Sequence, residues 1–219
     1  MAETRGWIVG AALLGALMAA CSNTSSANVP QPREIVTSPP ATGHPRSPTS
    51  SPSLPSQAPI AIESNPPGDI PDTIAYVPHS IVKAGVSVKI PEGWSETTSN
   101  DAVNFTDKLN TVNVTWMPTS SAPTVTSARK TDVPALQSST LAFRLKSVTT
   151  AQLPAGPAVL ITYEGNSTPN AVTGRQYRQI VLRYELYKGG QETVLSLISP
   201  VGADNVDPWR IVTESFLWR

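Results

Sequence analysis

Two histidines, one cysteine and scattered carboxylates are nearly all that this 219-residue chain offers for polar catalysis. A zinc site needs clustered donors such as HExxH or paired cysteines, and neither pattern occurs. His44 falls in a Pro/Ser-rich stretch and His79 just ahead of the first patterned strand, positions that predict solvated imidazoles. A serine hydrolase needs Gly-x-Ser-x-Gly and a positioned base; the elbow is missing and only His79 could serve as a histidine base. There is no GxGxxG or Walker loop to cradle phosphate, and Gly189-Gly190 reads as a hairpin turn. Asp204, Asn205 and Asp207 begin like a calcium loop, but the Gly at position six and Glu at position twelve do not follow, so they read as a helix cap. Asp101, Asp107 and Glu164 could in principle move protons, yet isolated carboxylates near turns read as solvated groups. These residues predict no metal, no cofactor and no enzyme.

The aromatic residues offer binding instead of turnover. Trp94, Trp116, Tyr184 and Trp209 are candidates to line an apolar ligand groove between a helix and a sheet. Core packing is the competing role for most of the aromatic set, which also includes Tyr163, Tyr187 and Trp218. With 16 basic and 16 acidic residues the net charge is zero, and charged residues make up 15% of the chain. No basic stripe exists to release counterions from a phosphate backbone, which argues against nucleic-acid binding.

These side chains need a scaffold, and the patterning supplies one from Tyr76 to Arg219. Val86, Val88 and Ile90 alternate with polar residues up to the turn Pro91-Glu92-Gly93, which delivers Trp94. Val103–Thr106 and Val112–Met117 form a hairpin about Asp107–Asn110, and Phe143–Leu153 pairs with Ala158–Glu164 across Pro154–Pro157. Ile180, Leu182, Tyr184 and Leu186 share a strand face, and Thr193–Ser199 returns antiparallel past Gly189-Gly190. Asp132 is the expected cap of a short helix with Pro134 in its first turn. Asp204–Pro208 opens a C-terminal helix in which Trp209, Val212, Thr213 and Phe216 recur at helical spacing. The expected fold is α+β, an antiparallel sheet with helices packed on one side of it.

Upstream, composition changes. Trp7–Ala20 is an apolar run of fourteen residues behind Arg5 and ends in Met18-Ala19-Ala20, directly before Cys21. Such a helix spans roughly 21 Å, short of the roughly 30 Å hydrocarbon core of a bilayer, so it reads as a secretory signal rather than a permanent span. The segment resembles the bacterial lipobox. That resemblance implies a signal peptide over 1–20, a diacylglyceryl (palmitate-bearing) thioether on Cys21, and a protein held on the outer face of the cell membrane. Release after Ala20 as a soluble protein is the alternative. Thirteen of the 22 prolines lie between Pro30 and Pro78, without apolar periodicity, so 21–75 is expected to be the lipidated cysteine and a disordered tether. Its root-mean-square span would be on the order of 40 Å. A single cysteine permits no internal disulfide, so stability must come from the core of 76–219.

Val86-Ser87-Val88-Lys89-Ile90-Pro91-Glu92-Gly93-Trp94 resembles the opening of the PsbP-like family, a hydrophobic strand followed by Pro-x-Gly-Trp. Gly202–Phe216 resembles the C-terminal helix of actinobacterial envelope lipoproteins of that group, the LpqN type included. The resemblance implies an α/β/α sandwich and a non-enzymatic module that binds an envelope protein, an ABC transporter component being one possibility. A carrier of lipid or a small apolar ligand is the alternative that the aromatic residues support.

Overall fold

The alternating strands pair as their patterns demand. A computed structural model describes residues 57–62, 67–107 and 109–219; the expected signal peptide, Cys21, His44 and the tether as far as residue 56 lie outside the described residues. In chain order the elements are β1 (Tyr76–Ile81), a 3-10 turn (Val82–Ala84), β2 (Val86–Pro91), β3 (Ser95–Thr98), β4 (Ala102–Thr106) and β5 (Thr111–Pro118). A helical run follows, made of α1 (Val125–Ser127), a π-helical stretch (Ala128–Asp132) and α2 (Val133–Ser139). Then come β6 (Arg144–Leu153), β7 (Gly156–Asn166), β8 (Arg178–Lys188), β9 (Gln191–Pro200), α3 (Val206–Ser215) and β10 (Leu217–Trp218). Seven strands form one sheet in the order β3-β4-β5-β9-β8-β7-β6, and β1-β2-β10 form a second. Every pairing is antiparallel. This is an α+β domain.

Each of the central strands splits its side chains between two cores, because successive residues point to opposite faces. Val103, Phe105, Val112, Val114, Leu186, Leu195 and Leu197 meet Val86, Val88 and Ile90 of the small sheet, Trp209 and Val212 of α3, and Phe216 just after it. Val159, Ile161, Tyr163 and Val181 point the other way and meet Ala128, with Val125, Val133 and Leu136 packed alongside. Helices therefore lie on both faces. The expectation of one helical side is corrected, and the layered sandwich implied by the family resemblance is what forms. The strand patterns carried this information, since Val159, Ile161 and Tyr163 alternate out of phase with Leu182, Tyr184 and Leu186 of the paired strand.

Both expected helix caps differ from the observed ones. Asp132 makes no capping bond and sits inside the helical run, whose N-terminus is set by a cap farther upstream, at Thr124: the Thr124 hydroxyl accepts from Ser127 N–H, and the Ser127 hydroxyl accepts from Thr124 N–H. Nor does Asn205 cap α3. Its side chain faces the segment ahead of β1. Asn205 Oδ1 accepts from Ile70 N–H at 2.7 Å, and its Nδ2 donates to Gly68 O at 3.0 Å and to Asn110 Oδ1 at 3.1 Å. Asn110 Nδ2 donates to the same Gly68 carbonyl at 2.9 Å. Both asparagines are buried, and Ile70 is only 2% exposed within the main core.

The fold thus begins upstream of Tyr76, the expected boundary. Farther out, Asn166 Oδ1 accepts from Ile60 N–H, and its Nδ2 donates to Gln57 Oε1 and Ala58 O. These contacts make residues 57–62 and 67–75 a strap built into the domain. Gly68 has φ +138°, and a Cβ there would meet Pro200 Cγ at 2.8 Å, so the strap's close approach requires glycine.

Candidate binding cleft

One opening follows from the geometry of α3 on the sheet. Asp207 and Pro208 start the helix, and Pro208, Trp209 and Val212 turn inward while Val206, Arg210 and Glu214 stay outside. A ten-residue helix is too narrow to cover the even-numbered face of β8. A cleft of about 410 Å³ remains between them, floored by Ile180, Leu182, Tyr184 and Trp209 and rimmed by Ser199, Asn205, Arg210 and Thr213. Val206 stands at its edge, 75% exposed.

Of the four groove candidates, Tyr184 and Trp209 line this cleft. Burial pushes the Tyr184 phenol up from its ordinary pKa, so it is neutral and offers a hydroxyl at neutral pH. Trp94 stands behind Trp209 in an edge-to-face pair, centroids 6.3 Å apart at 87°. Such a pair contributes about 1 kcal/mol beyond area burial and fixes the ring that walls the cleft. Trp116 lies elsewhere, in a smaller pocket with Phe105 and His79. The predicted set therefore divides, with Tyr184 and Trp209 in the cleft, Trp94 behind it and Trp116 in the smaller pocket. Trp218 serves packing: its Nε1 donates to Ala155 O at 2.9 Å.

The carboxylates sort only partly as expected. Asp101 is exposed, and Asp107 accepts from the backbone N–H of Leu109 and Asn110, closing the β4–β5 turn. Asp207 pairs with Arg210 on the exposed side of α3. Glu164 is not solvated but buried, with Arg178 Nη2 at 3.2 Å and Lys146 Nζ at 3.1 Å. Burial pushes its carboxyl up, but hydrogen bonds and charge from Lys146 and Arg178 outweigh burial and hold it below the ordinary value. Arg178 also donates to Ala142 O and Asn166 Oδ1. This network joins β7, β8 and the strap, and its role is architectural.

His79 departs from the solvated reading as well. Its ring lies edge-on to Phe105 at 4.7 Å, with Nδ1 at 3.4 Å from Glu96 Oε2. Glu185 was not anticipated at all. It is completely buried; Oε1 accepts from Arg183 Nε at 2.8 Å and Oε2 has no partner. Burial raises its pKa to about 7 against the opposing pull of Arg183, with Asp132 and Glu192 adding to the rise. One sequence signal existed: Glu185 continues the odd-numbered positions of β8 that include buried Val181, whereas the notion of an isolated surface carboxylate ignores strand phase.

The lining of the cleft contains no carboxylate, imidazole or thiol. Among the described residues no group of three or more His, Cys, Asp or Glu is placed to hold a metal, and no helix is long and apolar enough to cross a membrane. The cleft's chemistry is that of an apolar floor with a hydrogen-bonding rim.

The sequence matches no protein-family model and no curated protein. Several solved structures are similar in chain path. The solution structure of cyanobacterial PsbP (CyanoP) from Synechocystis sp. PCC 6803 is 16% identical, covers 71% of this chain and 100% of its own, and has a TM-score of 0.45. The Ran-binding protein Mog1p of Saccharomyces cerevisiae is 10% identical over 66% of this chain and 95% of its own, with a TM-score of 0.44. A Bacteroides thetaiotaomicron VPI-5482 structure is 11% identical over 62% of this chain, at a TM-score of 0.43, and the chain spans only 45% of its length.

Proposed function

We propose that this chain is an envelope lipoprotein, held on the outer face of the membrane through Cys21, whose domain binds another protein through the cleft beside α3. The observation that carries the reading is the cleft itself: about 410 Å³ of open, apolar-floored space with four polar side chains at its rim. Its lining has no group able to act as a general base near neutrality, which favours binding over turnover. The apolar floor suits one or two inserted side chains of a partner, and Arg210, Ser199 and Thr213 suit that partner's backbone. A membrane-bound transporter component is a partner class consistent with the tether.

A photo-crosslinker placed at Val206 in intact cells tests this. The expected product is one defined envelope protein, identified by mass spectrometry, and Thr213→Phe should abolish it by filling the cleft. Thr213 Oγ1 bonds only to the helix carbonyls of Trp209 and Arg210, so that change breaks no tertiary hydrogen bond. A crosslink indifferent to Thr213→Phe, or none, rejects the cleft as the docking site.

The cleft volume also falls within the range of small-molecule sites, about 300–1,000 Å³, which favours a carrier of lipid or a small apolar ligand as the second reading. Native mass spectrometry of the purified chain would then show a co-purifying molecule, and lipid titration would change Trp209 fluorescence.

A further inference from the structure

A second opening lies where β1 crosses the β3–β4 edge of the large sheet. Val103, Phe105 and Trp116 floor a pocket of about 240 Å³, and Lys83, His79, Glu96 and Thr98 surround it. Val103, Phe105 and Trp116 all point into the space between the two sheets, so the floor extends the main core to the surface. The 3-10 turn after β1 holds Lys83 at the mouth. That turn is closed by Gly85 in the left-handed region at φ +63°, its N–H bonded to Val82 O.

The polar groups around the mouth are not equivalent. Glu96 is engaged at both oxygens, Oε1 accepting from Thr98 Oγ1 at 3.3 Å and Oε2 facing His79 Nδ1 at 3.4 Å. Both Glu96 oxygens are thus held by neighbours on β1 and β3, and the same contact leaves Nε2 as the remaining nitrogen of His79. Lys83 has no ion-pair partner among the described residues. Among the described residues Lys83 thus stands as an unpaired cation beside an aromatic floor. The pocket is also smaller than the usual range for drug-sized ligands, which limits the occupant to roughly one ring and a short chain.

We propose that this pocket is a second binding site, distinct from the cleft beside α3, for a small aromatic carboxylate. The ring packs on Phe105, Val103 and Trp116, and the carboxylate meets the Lys83 ammonium. Glu96 fixes the imidazole of His79 as a wall of the site. The inference is independent of the proposed cleft function, because no residue is shared between the two linings.

Fluorine NMR of the full chain in lipid nanodiscs, with fluorotryptophan at each tryptophan and single Trp→Phe variants for assignment, reads both sites separately. Titration with phenylpropionate is expected to move the Trp116 resonance saturably and to leave Trp209 in place. Phenylpropanamide, of the same shape without the charge, should bind about tenfold more weakly, the loss of one partly exposed charge pair to a ligand. Lys83→Met should remove that preference and Lys83→Arg should retain it. Lys83 is an exposed turn residue, so neither variant threatens the fold. The proposal is overturned by an unmoved Trp116 resonance, by equal affinity for acid and amide, by phenethylamine binding better than the acid, or by a shift confined to Trp209.

Discussion

Glu164 and Glu185 lie on adjacent strands, both are buried, and their partners drive their protonation in opposite directions. Glu164 has two cations within 3.2 Å; Glu185 has one, through one oxygen, and lies near two further acids. Replacing Glu164 by Gln leaves Arg178, 5% exposed, without a countercharge, and removing one member of a buried pair costs about 3–5 kcal/mol. Urea unfolding should show a loss of that order; a change under 1 kcal/mol, as for a surface pair, would show that the network is not holding the fold. Since the Glu164 carboxyl titrates below its unfolded value, its contribution is present at neutral pH and is lost as pH falls through the folded pKa. Glu185 has the reverse sign. Between pH 4.5 and about 7 the unfolded chain has released this proton and the folded chain still holds it, so stability declines as pH rises through that window. At 1.36 kcal/mol per unit the decline approaches about 3 kcal/mol. Glu185→Gln should abolish that slope, and a variant whose stability still falls in parallel with wild type over pH 4.5–7 would assign the dependence elsewhere.

At the scale of elements, the strap makes the largest demand. A chain trimmed to Tyr76 loses Ile70 from the core, worth about 2 kcal/mol, and strands the amides of Asn110 and Asn205, at about 1–3 kcal/mol for each unsatisfied group. A chain trimmed to Gln57 keeps all three. The expected difference between the two truncations is a drop in Tm of more than about 10 °C, by the usual 2–8 °C per kcal/mol, and coincident melting curves would show that the strap is not part of the cooperative unit. The strap was hidden in the sequence because its composition is that of a tether: four isoleucines and one glycine spread among prolines show no sustained periodicity, and Asn205 bonds Ile70 across 135 residues. The strands were legible because alternation is a local signal, and Val86–Ile90, Val103–Thr106 and Ile180–Leu186 each display it. The helical run was only half legible. Its Thr124/Ser127 capping box has Ser where Glu or Gln is the usual sign, and its middle winds as a π-helix, so periodicity begins to read as helical only near Pro134. Of the cleft, Tyr184 and Trp209 were foreseen from type and spacing. Asn205 was misassigned as a cap, because sequence alone does not say which of several orphan amides a side chain will meet.

At the scale of the whole molecule, the described fold has its chain entry at Gln57, beside Asn166 and Gln176, and the proposed attachment point is Cys21. The energetics of attachment separate the two possible fates of the chain. A buried acyl chain contributes about 0.8 kcal/mol per methylene; one chain alone gives marginal, reversible membrane binding, whereas two or more give stable anchoring. A diacylated Cys21 therefore predicts a protein that stays with membranes through washing at high salt and leaves only with detergent, since no basic patch contributes a salt-sensitive component. Radiolabelled palmitate should enter the wild-type chain. In Cys21→Ala the label should be absent and the domain should remain folded, because the buried core is built from residues between Ile70 and Phe216, so that loss of the anchor is read without loss of the fold. Wild type that takes up no label would leave the cleft to act without this tether, and a Cys21→Ala chain that fractionates with membranes as wild type does would place the attachment on some other part of the chain.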